Sequence, residues 1–155
     1  MKQLLTGFLT AVFTVSSIAA AHAAGMQGGT PADHIRPWLG TWSCKAAGNN
    51  HTATFTPIFG GNGMRISETG KMPSEEIVIW ETSRSKWIDQ YTDASGTYST
   101  MEGTPSGKSI MFKQVYPAAG PTLLVTMPSK SVFTTALTMT ANGKTTTQRE
   151  TCTRT

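Results

Sequence analysis

Two cysteines constrain the fold of this chain more than any other feature. Cys44 and Cys152 are the only cysteines in 155 residues, and they lie near opposite ends of a region rich in Thr, Ser and β-branched residues. An even cysteine count in an exported chain predicts one disulfide. The bond would hold two Cα atoms about 4.4–6.8 Å apart, so the first and last strands of the region must be neighbours.

Export is predicted from residues 1–23, which have the layout of a secretory signal peptide. Lys2 precedes an apolar run from Leu4 to Ala21, and Ala21-His22-Ala23 supplies an A-x-A cleavage pattern. The run is long enough that an uncleaved membrane anchor stays open as an alternative. No cysteine stands at the cleavage site, so we expect a secreted or periplasmic protein without a lipid anchor. After cleavage, no integral membrane segment is expected.

The rest of the chain divides into a leader and one domain. Residues 24–37 predict a flexible leader that ends in a short helical turn, with Asp33 as its cap and Pro37 as its stop. His34 in this turn is expected to be exposed. Residues 38–155 predict a single β-barrel domain.

All-β structure is indicated from Trp38 onward, where turn residues recur about every ten positions between runs of Thr, Val, Ile and aromatic residues. Asn142-Gly143 is a strong two-residue hairpin signal, and Pro105-Ser106-Gly107 predicts another turn. The predicted strands are 39–46, 51–58, 63–69, 75–82, 86–93, 97–103, 108–116, 121–127, 131–140 and 144–154. The prediction is an antiparallel up-and-down barrel of about 8–10 strands, closed by the disulfide between the first and last strands.

The disulfide also predicts a strand register. If Cys44 faces Cys152 in antiparallel strands, then Trp42 faces Arg154. Side chains two residues apart share a face, so these four side chains should form one cluster, with the guanidinium lying on the indole ring.

Gly40-Thr41-Trp42 at the start of the first strand, with a helical turn before it and Arg154 on the last strand, resembles the calycin pattern of lipocalin-like barrels. The resemblance covers the two ends of the domain. It implies a cavity open at one end that takes small, often apolar molecules. It also implies that Gly40, Trp42 and Arg154 close the barrel floor and do not touch ligand.

Several kinds of chemistry lack a signal. The sequence contains no nucleotide-binding loop, no Gly-x-Ser-x-Gly and no paired-histidine metal motif, so neither a cofactor nor a metal is predicted. The Lys and Arg residues are scattered singly, which argues against nucleic acid as a partner. His51 is expected to be an exposed rim residue.

Glu150 is the one candidate catalytic residue, because alternation from Cys152 points it inward. A buried glutamate could anchor a ligand or act as a general acid or base. A salt bridge to an inward Arg, or a change of face at a β-bulge, is the alternative. Glu68, Glu75 and Glu76 are expected to be solvated. Asp89 shares a face with Trp87 and Tyr91, and its exposure is left open.

Tyr91, Tyr98, Phe112 and Met127 are the candidate ligand-binding residues. They could line a cavity or fill the core of a small barrel. Three functions are compatible with this pattern: a barrel that binds a small, mostly apolar molecule, a structural or interaction module of the cell envelope with a filled core, and an enzyme that uses a lone buried glutamate. The cavity volume distinguishes the first two.

Overall fold

A computed structural model describes residues 29–155. The predicted signal peptide and the first part of the predicted leader lie outside the described residues. The elements are α1 (Pro31–Ile35), β1 (Gly40–Ala46), β2 (Asn49–Ile58), a 3-10 turn η1 (Phe59–Gly61), β3 (Gly63–Thr69), β4 (Ser74–Glu81), β5 (Lys86–Asp93), β6 (Tyr98–Ser106), β7 (Ser109–Tyr116), β8 (Thr122–Ser129), β9 (Val132–Ala141) and β10 (Lys144–Arg154). No helix among them has the length and apolar character needed to cross a membrane.

The ten strands form one closed barrel. Each strand pairs antiparallel with the next along the chain, and β10 pairs with β1. This confirms the all-β up-and-down barrel and places the strand count at the upper end of the predicted range. Closure leaves no unpaired edge strand in the barrel.

The disulfide and the predicted register are both present. Cys44 is bonded to Cys152, and their positions are Cα partners in the β1–β10 ladder. Trp42 faces Arg154 in the same ladder, and the guanidinium carbon lies 4.2 Å from the centre of the Trp42 ring. The cysteines and Trp42 are almost completely buried.

One end of the barrel, here called the floor, is closed by aromatic side chains. Trp42 and Phe133 meet edge to face with centroids 4.9 Å apart, and Trp80 and Trp87 do so at 5.4 Å. Trp38, between α1 and β1, packs against both Trp87 and Phe133. Edge-to-face contacts of this kind add to the stabilisation from burial alone.

The helical turn α1 packs across this floor. Thr30 is its N-cap, and the Asp33 carboxylate accepts hydrogen bonds from the Thr30 backbone N–H at 3.0 Å and hydroxyl at 2.8 Å. Asp33 is therefore the third helical residue of a capping box, and its prediction as the cap was wrong. The expectation that His34 is exposed was also wrong. Its ring is buried and stacks on Trp80 with centroids 3.9 Å apart.

Arg154 fastens the segment before β1 to the floor. Its guanidinium donates to the backbone carbonyls of Lys130 at 3.0 Å, Pro37 at 2.6 Å and Leu39. Gly40 has φ +122°, and a Cβ at this position would lie 2.9 Å from Arg154 Nη1. The first strand therefore requires glycine here for both backbone conformation and space.

The turns follow the predicted chemistry with one correction. Asn142 and Gly143 connect β9 and β10, and both have positive φ, as a two-residue hairpin of this type requires. The predicted turn at 105–107 begins later, because β6 continues to Ser106 with Pro105 inside the strand.

Candidate functional site

The barrel encloses a cavity of about 640 Å³. Its lining runs from Trp38, Phe55 and Phe133 at the floor to Lys71 and Pro117 in loops at the other end. That other end, here called the mouth, is formed by the connections β1–β2, β3–β4, β5–β6, β7–β8 and β9–β10. The volume falls within the 300–1,000 Å³ typical of small-molecule sites.

One side of the cavity, here called the acidic wall, carries ionisable side chains on neighbouring strands. Glu150 comes from β10, His51 from β2, Glu68 from β3, Glu76 from β4 and Asp89 from β5. Each of these residues alternates along its strand with outward-facing residues, so the two-residue period of a β-strand directs its side chain inward. The acidic wall spans β10 and β1–β5, which are consecutive in the barrel.

The opposite side, here called the apolar wall, is formed by β6–β9. Apart from Tyr98 at the mouth, its lining residues on these strands carry no ionisable side chain; they are Ser99, Met101, Ile110, Phe112, Gln114, Leu123, Val125, Phe133, Thr135 and Leu137. Most of these are aliphatic or aromatic. The cavity is therefore polar and acidic on one side and apolar on the other.

His51 lies between two carboxylates of the acidic wall. Its Nε2 is 3.5 Å from Glu150 Oε1 and 3.6 Å from Glu68 Oε1. Only 10% of the His51 side chain is exposed. The Ser74 hydroxyl donates a hydrogen bond of 2.8 Å to the other Glu68 oxygen. A protonated His51 would interact favourably with both carboxylates.

Asp89 is the most deeply buried acid of the wall, with 5% of its surface exposed. Among the described residues, its Oδ1 has no hydrogen-bond partner. Burial, and after it the charge of the neighbouring Glu68 carboxylate, together raise the pKa of Asp89 to about 7. Near neutral pH this group therefore exchanges between its neutral and charged forms.

Glu76 and Glu150 of the acidic wall also hold their protons more tightly than free glutamates. Burial raises the pKa of Glu76 well above its ordinary value, and the charges of Asp89, Glu68 and Glu150 add to the shift. Burial also raises the pKa of Glu150, while the adjacent His51 opposes that change. Burial is the larger cause of both shifts, and the neighbouring acids add to it because each ionisation makes the next one harder.

Tyr91 adds a hydroxyl to the same wall. It donates a hydrogen bond of 3.3 Å to Asp93 at the mouth end of β5. Burial raises the pKa of Tyr91 to about 12, with the Asp93 charge as the next cause. The phenol therefore stays neutral and acts as a hydrogen-bond donor.

The four candidate ligand-binding residues lie in different places. Tyr91 and Phe112 line the cavity on opposite walls. Tyr98 lines it at the mouth, where 47% of its surface is exposed and its ring lies 5.9 Å from that of Tyr116. Met127 is not among the lining residues and packs against the apolar core. The structure therefore brings Tyr91, Tyr98 and Phe112 to the cavity.

Glu150, the catalytic candidate, does point inward, and its neighbour is His51 in place of an arginine. The expectation that His51 is exposed was wrong. Glu68 and Glu76, which were expected to be solvated, are half-buried and line the cavity. Glu75 is exposed, as expected.

Strand phase was the signal that could have located these residues. Glu68 is in phase with Met64 and Ile66, which are buried. Glu76 is in phase with Val78 and Trp80 in the same way. His51 is in phase with Ala53 and Phe55. These polar residues lie at the mouth ends of their strands. Their position near a strand end predicts exposure to solvent, whereas the alternation of side chains along the strand predicts an inward orientation.

Cys44, His51 and Glu150 also offer three potential metal-ligand atoms within 4.8 Å of one another. Cys44 is in a disulfide, so its sulfur is not the thiolate that binds metals. The remaining histidine and glutamate are two ligands, fewer than the three or four protein ligands of ordinary zinc sites.

Comparison with known proteins adds no family to this description. No protein-family model matches the chain, and no curated protein matches it.

Proposed function

We propose that this protein is an exported barrel that binds a small, mostly apolar molecule in its interior. The observation that carries the proposal is the cavity of about 640 Å³ between the apolar wall and the acidic wall. A protein whose core served only for packing would fill this space, because unfilled apolar volume is destabilising. Export is supported by the signal-like residues 1–23 and by the disulfide.

The residues that close the barrel and the opening of the cavity lie at different ends, which supports the same proposal. The residues that hold the barrel closed lie at the floor or in the strands that adjoin it; they are Gly40, Trp42, Arg154 and the disulfide-bonded cysteines. The cavity is lined up to the mouth loops by Lys71 and Tyr98, which are exposed. A ligand can therefore enter at the mouth without disturbing the closure.

The test is binding of a neutral apolar dye, N-phenylnaphthylamine, whose fluorescence rises in apolar surroundings. Leu123 and Leu124 are neighbours on β8, but only Leu123 lines the cavity. We expect Leu123→Trp to weaken dye binding by about tenfold or more, because the added ring occupies volume that the ligand must fill. Leu124→Trp is the matched control and should leave affinity unchanged.

Native mass spectrometry of protein isolated from its own host gives a second measurement. A bound mass that is lost in Leu123→Trp and kept in Leu124→Trp would support the proposal. Absence of dye binding to the wild-type protein, or equal binding by both variants, would contradict it.

A further inference from the structure

The cavity lining contains more acidic groups than the binding of an apolar molecule requires. Glu68, Glu76, Asp89 and Glu150 all border the acidic wall. The basic residues that also border the cavity are His51, which is buried, and Lys71 and Arg149, which are exposed. Carboxyl groups therefore outnumber basic groups in the buried part of the cavity. A cation bound among them would favour their ionised forms, which burial alone disfavours, so these groups favour a cationic occupant.

Asp89 is the group that points most directly to a ligand. It is 5% exposed and borders the cavity, and its Oδ1 has no hydrogen-bond partner among the described residues. Buried polar atoms in folded proteins are almost always paired, because an unpaired one is destabilising. A hydrogen-bond donor with positive charge, supplied from the cavity, would pair this oxygen.

The neighbouring groups do not pair with Asp89 Oδ1. His51 Nε2 lies nearer to Glu68 and Glu150, at 3.6 and 3.5 Å, and both His51 ring nitrogens, like Trp87 Nε1, also lack a hydrogen-bond partner among the described residues. The Tyr91 hydroxyl donates to Asp93. Glu76 faces Tyr91 across the β4–β5 ladder and Asp89 faces Val78 there, so these two carboxyl groups lie on adjacent strands next to the cavity.

The apolar wall restricts the chemistry of the occupant further. Met101 is the Cα partner of Asp89 on β6, and Phe112, Leu123 and Val125 continue the apolar wall. A ligand that lies across the cavity therefore meets carboxyl groups at one side and hydrocarbon at the other.

Resting on the proposed function, we infer that the cavity takes a small organic amine, with its protonated nitrogen at Asp89 and Glu76 and its apolar body against the apolar wall. A divalent metal ion fits the same observations less well. An ion needs several converging oxygen atoms and gains nothing from an apolar wall or from about 640 Å³ of space.

The experiment compares three ligands with the same alkyl chain: decylamine, decanol and decanoic acid. Each displaces N-phenylnaphthylamine from the disulfide-bonded protein at about pH 7.5, where decylamine is a cation and decanoic acid an anion. We expect decylamine to bind about tenfold more tightly than decanol, since hydrogen bonds to charged groups are the stronger kind. Decanoic acid should bind more weakly than decanol.

Substitutions in the acidic wall test whether its carboxyl groups cause the preference for decylamine over decanol. Asp89→Asn and Glu76→Gln should each reduce the ratio of decylamine affinity to decanol affinity severalfold. Glu75→Gln is the control, because Glu75 is the adjacent residue of β4 and is exposed. It should leave the ratio unchanged.

The outcomes separate this inference from the proposed function. If decanol and decylamine displace the dye equally well, or if Asp89→Asn and Glu75→Gln behave alike, the amine inference is overturned and the apolar site stands. If calcium or zinc binds in calorimetry with dependence on Asp89, and decylamine has no advantage over decanol, the occupant is a metal ion and the inference is overturned as well. Failure of the dye to bind at all would overturn the proposed function itself.

Discussion

Asp89 lies on the same face of β5 as Trp87 and Tyr91, and a carboxyl group there has apolar neighbours. Val78 and Met101 are its Cα partners on the two adjoining strands. The titratable groups around it come from other strands of the acidic wall: Glu68, Glu76, Glu150 and His51. This setting, and not any property of the residue alone, moves its titration into the neutral range.

The raised pKa of Asp89 makes stability depend on pH in a defined direction. Because the folded protein holds this proton more tightly than the unfolded chain, Asp89 favours the folded state fully below about pH 3.8, and this contribution is lost as the pH rises towards about 7. The shift corresponds to a loss on the order of 4 kcal/mol in the free energy of unfolding. We expect Asp89→Asn to remove that part of the decline.

Urea unfolding at a series of pH values from about 4 to 8 checks this. The difference in stability between Asp89→Asn and wild type should grow in favour of the variant as the pH rises. Glu75→Gln serves as the control, and its curve should run parallel to that of the wild type. Parallel curves for Asp89→Asn and wild type would show that Asp89 does not titrate in this range.

Gly40 illustrates a second single-residue requirement, set by backbone geometry. Its φ of +122° and the 2.9 Å approach of Arg154 Nη1 both exclude a side chain. We expect Gly40→Ala to lower the free energy of unfolding by about 3 kcal/mol, because backbone strain and displacement of the guanidinium add together.

Gly48→Ala is the matched control for Gly40→Ala. Gly48 has φ +78° in the β1–β2 turn, and nothing lies within 4 Å of a Cβ placed there. It therefore measures the cost of a side chain at a left-handed turn position without steric contact, at about 1–2 kcal/mol. A loss in Gly40→Ala no larger than that in Gly48→Ala, by thermal or urea unfolding, would contradict the prediction.

At the scale of the elements, the strands and turns could be predicted from the local sequence. Periodicity and turn residues predicted every strand to within a few residues, and both ends of β3, β5 and β10 coincide with the predicted ones. The β1–β10 ladder also followed, because a disulfide and the two-residue period together determine which residues face each other.

The mouth ends of β2, β3 and β4 were harder to predict. His51, Glu68 and Glu76 are polar residues near strand ends, so local composition indicates solvent, whereas the phase of their strands indicates the interior. Burial of an acid is unfavourable unless neighbouring strands supply compensating groups, and those neighbours are known only once the barrel is closed. The position of α1 over Trp80 likewise depends on a contact between segments distant in sequence.

For the whole molecule, the volume of the cavity is the property that the residues themselves could not predict. Its volume depends on strand number and stagger together with the summed sizes of all inward side chains. The same Met and aromatic residues would fill a narrower barrel. In this ten-stranded barrel the inward side chains leave about 640 Å³ unfilled.

Closure of the whole barrel rests on β1 and β10, the two strands that are farthest apart in the chain. The Cys44–Cys152 bond joins positions 108 residues apart, and a loop of this size gives about 4–5 kcal/mol of stabilisation in the chain-entropy model. We expect a Cys44→Ser, Cys152→Ser double variant to melt about 10–20 °C lower in calorimetry. Because loss of the bond frees β1 and β10 to separate, partly opened molecules would expose strand edges, and aggregation on heating should increase. A melting temperature equal to that of the wild type would show that the ladder and the Arg154 contacts close the barrel without the bond.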